Sequence, residues 1–264
     1  MYQIAILGVG KMGGAILEGV LRCGVYQKED ILLYIHSQDK LNKYLNDGYN
    51  VTNDVDTVFE NAKIILLAIK PQMFPEALAS AKNYDFSGRC IISIAAGLTI
   101  SYIQTYFSGA FIVRAMPNTP AQIGQGVTTL CSQDESNVYF TSALRVFRSI
   151  GVAYPILESQ MDDSLALNGS MPAYLYYFAL CFIDQAVKDG IDFETAKKLT
   201  AESIKSSANM ILKSDDPIEV LIDNVCSKGG TTIAGLEELK NNGFKETIEK
   251  CIKACSNRSR ELSK

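Results

Sequence analysis

The stretch Gln3-Ile4-Ala5-Ile6-Leu7-Gly8-Val9-Gly10-Lys11-Met12-Gly13-Gly14 decides the fold. Four consecutive apolar residues, Ile4–Leu7, run into three glycines spaced G-x-G-x-x-G, and a helix-like stretch, Gly14–Cys23, follows. The spacing alone recurs by chance. Between a strand and a helix it is the turn that a dinucleotide needs. Gly8 permits the tight turn, Gly10 lets a pyrophosphate approach the backbone, and Gly13 allows close helix–strand contact. The free N–H groups and positive end of the helix, predicted to run from Ala15, hold the anion. Gly8, Val9, Gly10, Lys11, Met12 and Gly13 are therefore candidate cofactor-binding residues.

Working outward, short apolar runs recur at Ile31–Ile35, Ile64–Ile69, Cys90–Ile94, Phe111–Val113 and Gly126–Cys131, with amphipathic stretches such as Lys40–Asp47 between them. Runs apolar at every position fit strands covered on both faces by crossover helices. The alternation predicts an α/β domain over residues 1–157, a Rossmann-type doubly wound parallel sheet. From Glu158 the texture changes. Apolar residues recur at three- and four-residue spacing through Ala173–Lys188, Phe193–Lys213, Pro217–Val225, Ile233–Leu239 and Glu246–Leu262, separated by Gly and Asp/Pro breakers. Residues 158–264 are read as an all-α C-terminal dimerisation domain. Ala173–Ile183 is apolar on every helical face, and a helix of that kind in so small a unit implies cover by a partner subunit.

Composition narrows the class. With 47% hydrophobic and 20% charged residues, the chain has ordinary globular usage and is not disordered. Its longest apolar run, Ala173–Ile183, is too short to span a bilayer, so no membrane association is expected. The N-terminus enters a strand without a leader-like segment, which predicts a cytoplasmic protein. The net charge is −4 and no basic stripe occurs, so no nucleic-acid partner is expected. Seven scattered cysteines include no C-x-x-C pair, and no metal site is predicted.

The second strand bears on which dinucleotide fits. An NAD site wants a carboxylate at this strand's tip for the ribose 2′-OH. Here the tip reads Tyr34-Ile35-His36-Ser37-Gln38-Asp39-Lys40. His36, Ser37 and Lys40 offer donors to a 2′-phosphate instead, which favours NADPH, with NADH the second choice. An exposed loop residue is the other reading of His36.

Three further segments narrow the class again. They are Leu67-Ala68-Ile69-Lys70-Pro71-Gln72, Val113-Arg114-Ala115-Met116-Pro117-Asn118-Thr119-Pro120-Ala121, and Asp223-Asn224-Val225-Cys226-Ser227-Lys228-Gly229-Gly230-Thr231-Thr232-Ile233-Ala234-Gly235-Leu236. With the glycine turn and Gly169-Ser170-Met171-Pro172-Ala173-Tyr174, the chain resembles the pyrroline-5-carboxylate reductases over its whole length. The resemblance implies an NAD(P)H-dependent oxidoreductase acting on a C=N bond, which reduces 1-pyrroline-5-carboxylate to L-proline in the last step of proline biosynthesis. It further implies a homodimer with interleaved helices, often assembled as a pentamer of dimers, a decamer. Active sites drawing on both subunits are implied too, with the threonine at the Thr232 position bonding the imine nitrogen.

Read without the family, Ala68, Ile69, Lys70 and Pro71, and Met116, Pro117 and Asn118, follow strands whose carboxyl ends should face the ligand crevice. They are candidate cofactor-binding residues, although a rigid turn without ligand contact also fits the proline-rich loop. Arg114 suits either an anion site or a structural ion pair. Ser227, Gly229, Gly230, Thr231 and Thr232 precede a predicted helix start at Ile233 and form a candidate anion nest for the substrate carboxylate. Thr231 or Thr232 as a plain N-cap is the alternative. Thr232 is the candidate catalytic residue, orienting the nitrogen or relaying a proton. Met171 stands where the family usually has glycine, and Lys228 where it usually has proline. Those departures leave a reductase of a related cyclic imine or small carboxylate as the rival activity, and a non-catalytic NADP-binding regulator as the rival class. A hydroxyacid dehydrogenase would need a lysine on the first long helix, and Ala173–Val187 has none.

Overall fold

The computed structural model describes residues 1–262. It divides into two compact units, Met1–Pro172 together with the chain from Cys255 onward, and Ala173–Ala254. The expected division at 157/158 therefore differs from the contact-based one. Residues 158–172 lie in the first unit, where the single helical turn Met161–Ser164 packs on the sheet.

The first unit is built on an eight-stranded sheet in the order β3-β2-β1-β4-β5-β6-β7-β8. Its strands are β1 (Tyr2–Leu7), β2 (Ile31–Tyr34), β3 (Asn50–Thr52), β4 (Ala62–Leu67), β5 (Cys90–Ser93), β6 (Phe111–Met116), β7 (Gly126–Ser132) and β8 (Gly151–Pro155). β1 pairs in parallel with β2, Ile4 opposite Ile31, and with β4, Leu7 opposite Leu67. Helices Lys11–Arg22 and Val138–Arg148 contribute to one core, which holds Ile16, Val20, Phe140 and Phe147. Phe59, Phe74, Phe86 and Phe107 fill the core on the opposite face. Covered on both sides, the central parts of β1 and β4 have no need of polar alternation, which is why Ile4–Leu7 and Ile64–Leu67 read as unbroken apolar runs.

The sheet departs from the expected wholly parallel arrangement at one place, because β7 runs antiparallel to β6. The reason is length. Only residues 117–125 join the two strands, and a parallel crossover needs about a dozen or more. Helix Val138–Arg148 then returns the chain to β8, which is parallel to β7. The two strands absent from the sequence reading are the edges. β3 is three residues long with one apolar residue, and the Val152-Ala153-Tyr154 run of β8 is short and bounded by glycine and proline.

The helical unit contains most of helix Met171–Lys188, then Phe193–Lys213, Ile218–Val225 and Thr231–Asn241, and the first part of Phe244–Leu262. Asp192 caps the second of these by accepting from Thr195 N. Hydrogen bonds from the Thr195 side chain and backbone hold its carboxyl below the usual carboxylate range. Within Ala173–Ala254 only Ile183 and Ala196 are buried. Tyr176, Tyr177, Leu180 and Phe182 are all exposed, although the sequence marks them as interior. A unit of this size without a core of its own is incomplete as a single chain. No described helix is long and apolar enough to cross a membrane.

Candidate functional site

The parallel strands β1, β2, β4, β5 and β6 deliver their carboxyl ends to one edge of the sheet. The strand order reverses beside β1, and a doubly wound fold binds ligands at such a switch point. The ends of three strands are tied together there, since Gly8 N donates to Tyr34 O and Ala68 N donates to Leu7 O.

The glycine turn has the geometry its spacing demands. Gly8 has φ +100°, which L side chains rarely adopt. A Cβ on Gly13 would lie 2.0 Å from the Gly8 carbonyl oxygen, so helix Lys11–Arg22 reaches this close to β1 only through glycine. A Cβ on Gly10 would meet nothing within 4 Å, so the space outside the turn is open. Gly10 is the N-cap of that helix, with no side chain capping it and no acidic residue in its first turn. The amides and the positive helix end are therefore free for an anion. The turn fits a dinucleotide pyrophosphate. The helix begins at Lys11, earlier than the predicted Ala15, so Lys11, Met12 and Gly13 belong to its first turn.

Other candidates gather along the same edge. His36 and Ser37 are exposed just past β2, and Ser37 is the N-cap of helix Gln38–Asn46 without bonding its first turn. Ala68 and Ile69 are half-buried beyond β4, Lys70 is exposed, and Pro71 opens a short 3-10 turn. Met116, Pro117 and Asn118 close β6 but are buried, and the Asn118 amide bonds inward rather than toward solvent. The end of β5 lies between those of β4 and β6, and the sequence reading passed it over. There Ser93 is buried and its Oγ accepts from Ala95 N. The signal was the small-residue ending Ala95-Ala96-Gly97 after an apolar strand.

Arg114 resolves as structural. It is 2% exposed, with Glu158 at 3.6 Å and Asp162 at 3.4 Å. Asp162 also accepts from Ser259 at 2.7 Å, which ties the chain's last helical turns to the first unit. Burial pushes the thiols of Cys90 and Cys131 up, that of Cys131 to about 12, so neither is a nucleophile at neutral pH. Among the described residues, no three or more His, Cys, Asp or Glu side chains cluster to hold a metal ion.

Ser227, Gly229, Gly230, Thr231 and Thr232 lie in the helical unit. Gly229 has φ +72°, and Gly230 N donates to Ser227 O in a tight turn. The helix begins at Thr231 rather than at Ile233, with Gly230 as its N-cap and no side-chain cap. The reading of Thr231 or Thr232 as an N-cap is thereby corrected: both threonines stand inside the first turn. No acidic residue shares that turn, so its positive end is again uncompensated. Thr232 also lines an open apolar groove of about 420 Å³ with Met210, Ile218, Leu221 and Leu236. Met171, which stands where the family usually has glycine, is the first residue of helix Met171–Lys188.

A glycine-turn dinucleotide fold followed by a helical unit without its own core defines the chain as a dinucleotide-binding oxidoreductase of the kind that assembles through its helices. The family described as "Pyrroline-5-carboxylate reductase dimerisation" matches residues 158–262, and "NADP oxidoreductase coenzyme F420-dependent" matches residues 3–97. Pyrroline-5-carboxylate reductase 2 of Bacillus subtilis is 35% identical over 99% of this chain and 95% of its own length. Among solved structures, the Plasmodium falciparum pyrroline carboxylate reductase with NADP bound is 32% identical, with TM-score 0.88, covering 100% of this chain and 98% of that one. The Coxiella burnetii pyrroline-5-carboxylate reductase is 29% identical, with TM-score 0.90, covering 100% and 99%. The chain belongs to the pyrroline-5-carboxylate reductase family.

Proposed function

We propose that this protein reduces 1-pyrroline-5-carboxylate to L-proline with NADPH, as the last step of proline biosynthesis. The observation that carries the reading is the full-length match to reductases of that name. The glycine turn, whose helix start no side chain caps, supports it. When bound, NADPH supplies a hydride for ring carbon C5, and the ring nitrogen takes up a proton. The chain's part is to hold and align. Gly8–Gly13 receive the pyrophosphate on backbone amides, while His36 and Ser37 face the 2′-phosphate end. Ala68–Pro71 and Met116–Asn118 wall the nicotinamide end, and NADH is the weaker donor. Ser227, Gly229, Gly230 and Thr231 grip the substrate carboxylate at an uncapped helix start. Thr232 orients the imine nitrogen. Holding donor and acceptor in line supplies much of the rate enhancement, about 7–11 kcal/mol in favourable systems.

The helical unit, with its apolar faces exposed, supports a homodimer of interleaved helices, with a pentamer of dimers as the larger assembly. Residues 1–157 serve as the nucleotide domain and 158–264 as the dimerisation and substrate domain. Seven free thiols and a reductive chemistry suit the cytoplasm.

The test is direct. Purified protein given NADPH and 1-pyrroline-5-carboxylate should lose absorbance at the reduced-nicotinamide band and yield proline. Turnover of a six-membered cyclic imine with none of the five-membered one would transfer the assignment to a related imine reductase. A second expectation concerns the tip of β2. His36→Asp places a carboxylate where a 2′-phosphate would lie, so kcat/KM with NADPH should fall and that with NADH should hold or rise. An unchanged ratio would remove His36 from cofactor choice.

A further inference from the structure

Two buried asparagines brace the loop that ends β6. The Nδ2 of Asn118 donates to the Asn168 main-chain oxygen at 3.0 Å, and its Oδ1 accepts from Val127 N at 2.8 Å. Asn168 reciprocates, its Nδ2 donating to the Met116 main-chain oxygen at 2.8 Å and to Thr129 Oγ1 at 3.1 Å. The Oδ1 of Asn168 accepts from Gly169 N. Asn118 is 6% exposed and Asn168 2%. These bonds join the end of β6, the start of β7 and the segment before helix Met171–Lys188, all within the first unit.

The arrangement has a cost that a purely structural contact would not need. A buried amide is tolerated only when its donors and acceptors are matched, and apolar side chains of similar size would fill the space without that demand. What an amide pair adds is a single allowed geometry, because each bond fixes the direction of a main-chain group as well as its distance. The group fixed here is the Met116 carbonyl, the last of the last parallel strand. It stands at the edge where β1 and β4 present the glycine turn and Ala68. Asn118 cannot turn its amide toward a ligand without releasing Val127 and Asn168.

We infer that Asn118 and Asn168 act as a positioning pair: they fix the Met116–Asn118 loop, and through it the alignment of nicotinamide and imine, and the Asn118 amide does not itself bind the cofactor. The inference rests on the reading of this edge as the nicotinamide end of the site.

The experiment uses the full-length oligomeric enzyme. Asn168→Asp keeps the acceptor for Gly169 N and loses the donor to Met116 and Thr129. Asn118→Asp keeps the acceptor for Val127 N and loses the donor to Asn168. Both are nearly isosteric. In either variant, kcat should fall about ten- to a hundredfold, the loss expected from a misplacement of about an ångström. NADPH affinity, measured by fluorescence titration, should stay within about twofold, because the pyrophosphate turn is untouched. The primary isotope effect with 4-deuterated NADPH should rise, since hydride transfer becomes the slow step. A folded variant that keeps wild-type kcat and isotope effect overturns the inference. So does loss of folded protein in both variants, which would make the pair a stability brace. Wild-type enzyme that turns over no imine overturns the functional reading and this inference together, whereas wild-type turnover with unchanged variants overturns the inference alone.

Discussion

Gly13→Ala should lower both thermal stability and NADPH affinity, whereas Gly10→Ala should lower affinity alone. The two glycines stand three residues apart in one turn and meet opposite surroundings. A Cβ at position 13 runs into the Gly8 carbonyl oxygen at 2.0 Å, with the Ala68 side chain at 3.2 Å. The first of these is backbone and cannot swing aside, so the helix must back away from β1 or the turn must distort. Overpacking of this kind costs about 1–3 kcal/mol. That corresponds to about fivefold to over a hundredfold in any binding that needs the native turn. A Cβ at position 10 meets nothing, and Gly10 has φ −86°, which any residue adopts. The folded state should accept alanine there, while the methyl occupies the space a pyrophosphate would take. Thermal melts with and without NADPH, together with a fluorescence titration of each variant, separate the two effects. Equal loss of stability in both variants, or unchanged affinity in Gly10→Ala, would refute this account of the turn.

Thr232→Ala carries the second large effect. The threonine stands in the first turn of a helix whose N-cap is glycine, so its hydroxyl is not needed to cap that helix. Its removal should leave folding and NADPH affinity nearly unchanged. If the hydroxyl bonds the imine nitrogen as charge develops there, it is worth about 1.5–3 kcal/mol, as for other hydrogen bonds to charged groups. The expected fall in kcat/KM is therefore about ten- to over a hundredfold. Thr232→Ser, which keeps the hydroxyl, should restore much of the activity. An alanine variant with wild-type kcat would remove Thr232 from the chemistry and leave the helix start to act through its backbone alone.

The edges of the sheet show why part of the fold was hidden in the sequence. The central parts of β1 and β4, Ile4–Leu7 and Ile64–Leu67, are covered on both faces and wholly apolar, so they were legible at once. β3 and β8 are held by one neighbour each, and nothing requires Asn50-Val51-Thr52 or Gly151–Pro155 to look like strands. The antiparallel turn of β7 followed from the shortness of residues 117–125, a constraint present in the sequence but invisible until β6 and β7 were known to be neighbours. The helix starts were displaced for a local reason. Reading Lys11–Gly14 and Thr231-Thr232 as part of their glycine-rich turns placed the helix starts at Ala15 and Ile233, yet each helix begins directly behind a glycine N-cap, without a side-chain cap.

By itself, the sequence determined the strand–glycine–helix unit, the change to an all-helical half near residue 158, the helix Ala173–Ile183 that is apolar on every face, and the family. Each depends on patterns read along the chain: spacing, periodicity and short motifs. Only the tertiary structure decided the roles of Arg114, Asn118 and Asn168. Arg114 became an ion-pair residue because the fold brings Glu158 and Asp162 within 3.6 and 3.4 Å of it. Asn118 became part of a brace because Asn168, fifty positions later, lies at hydrogen-bond distance. A polar side chain's role is set by which partners reach it after burial, and partners so far apart in sequence leave no periodic trace.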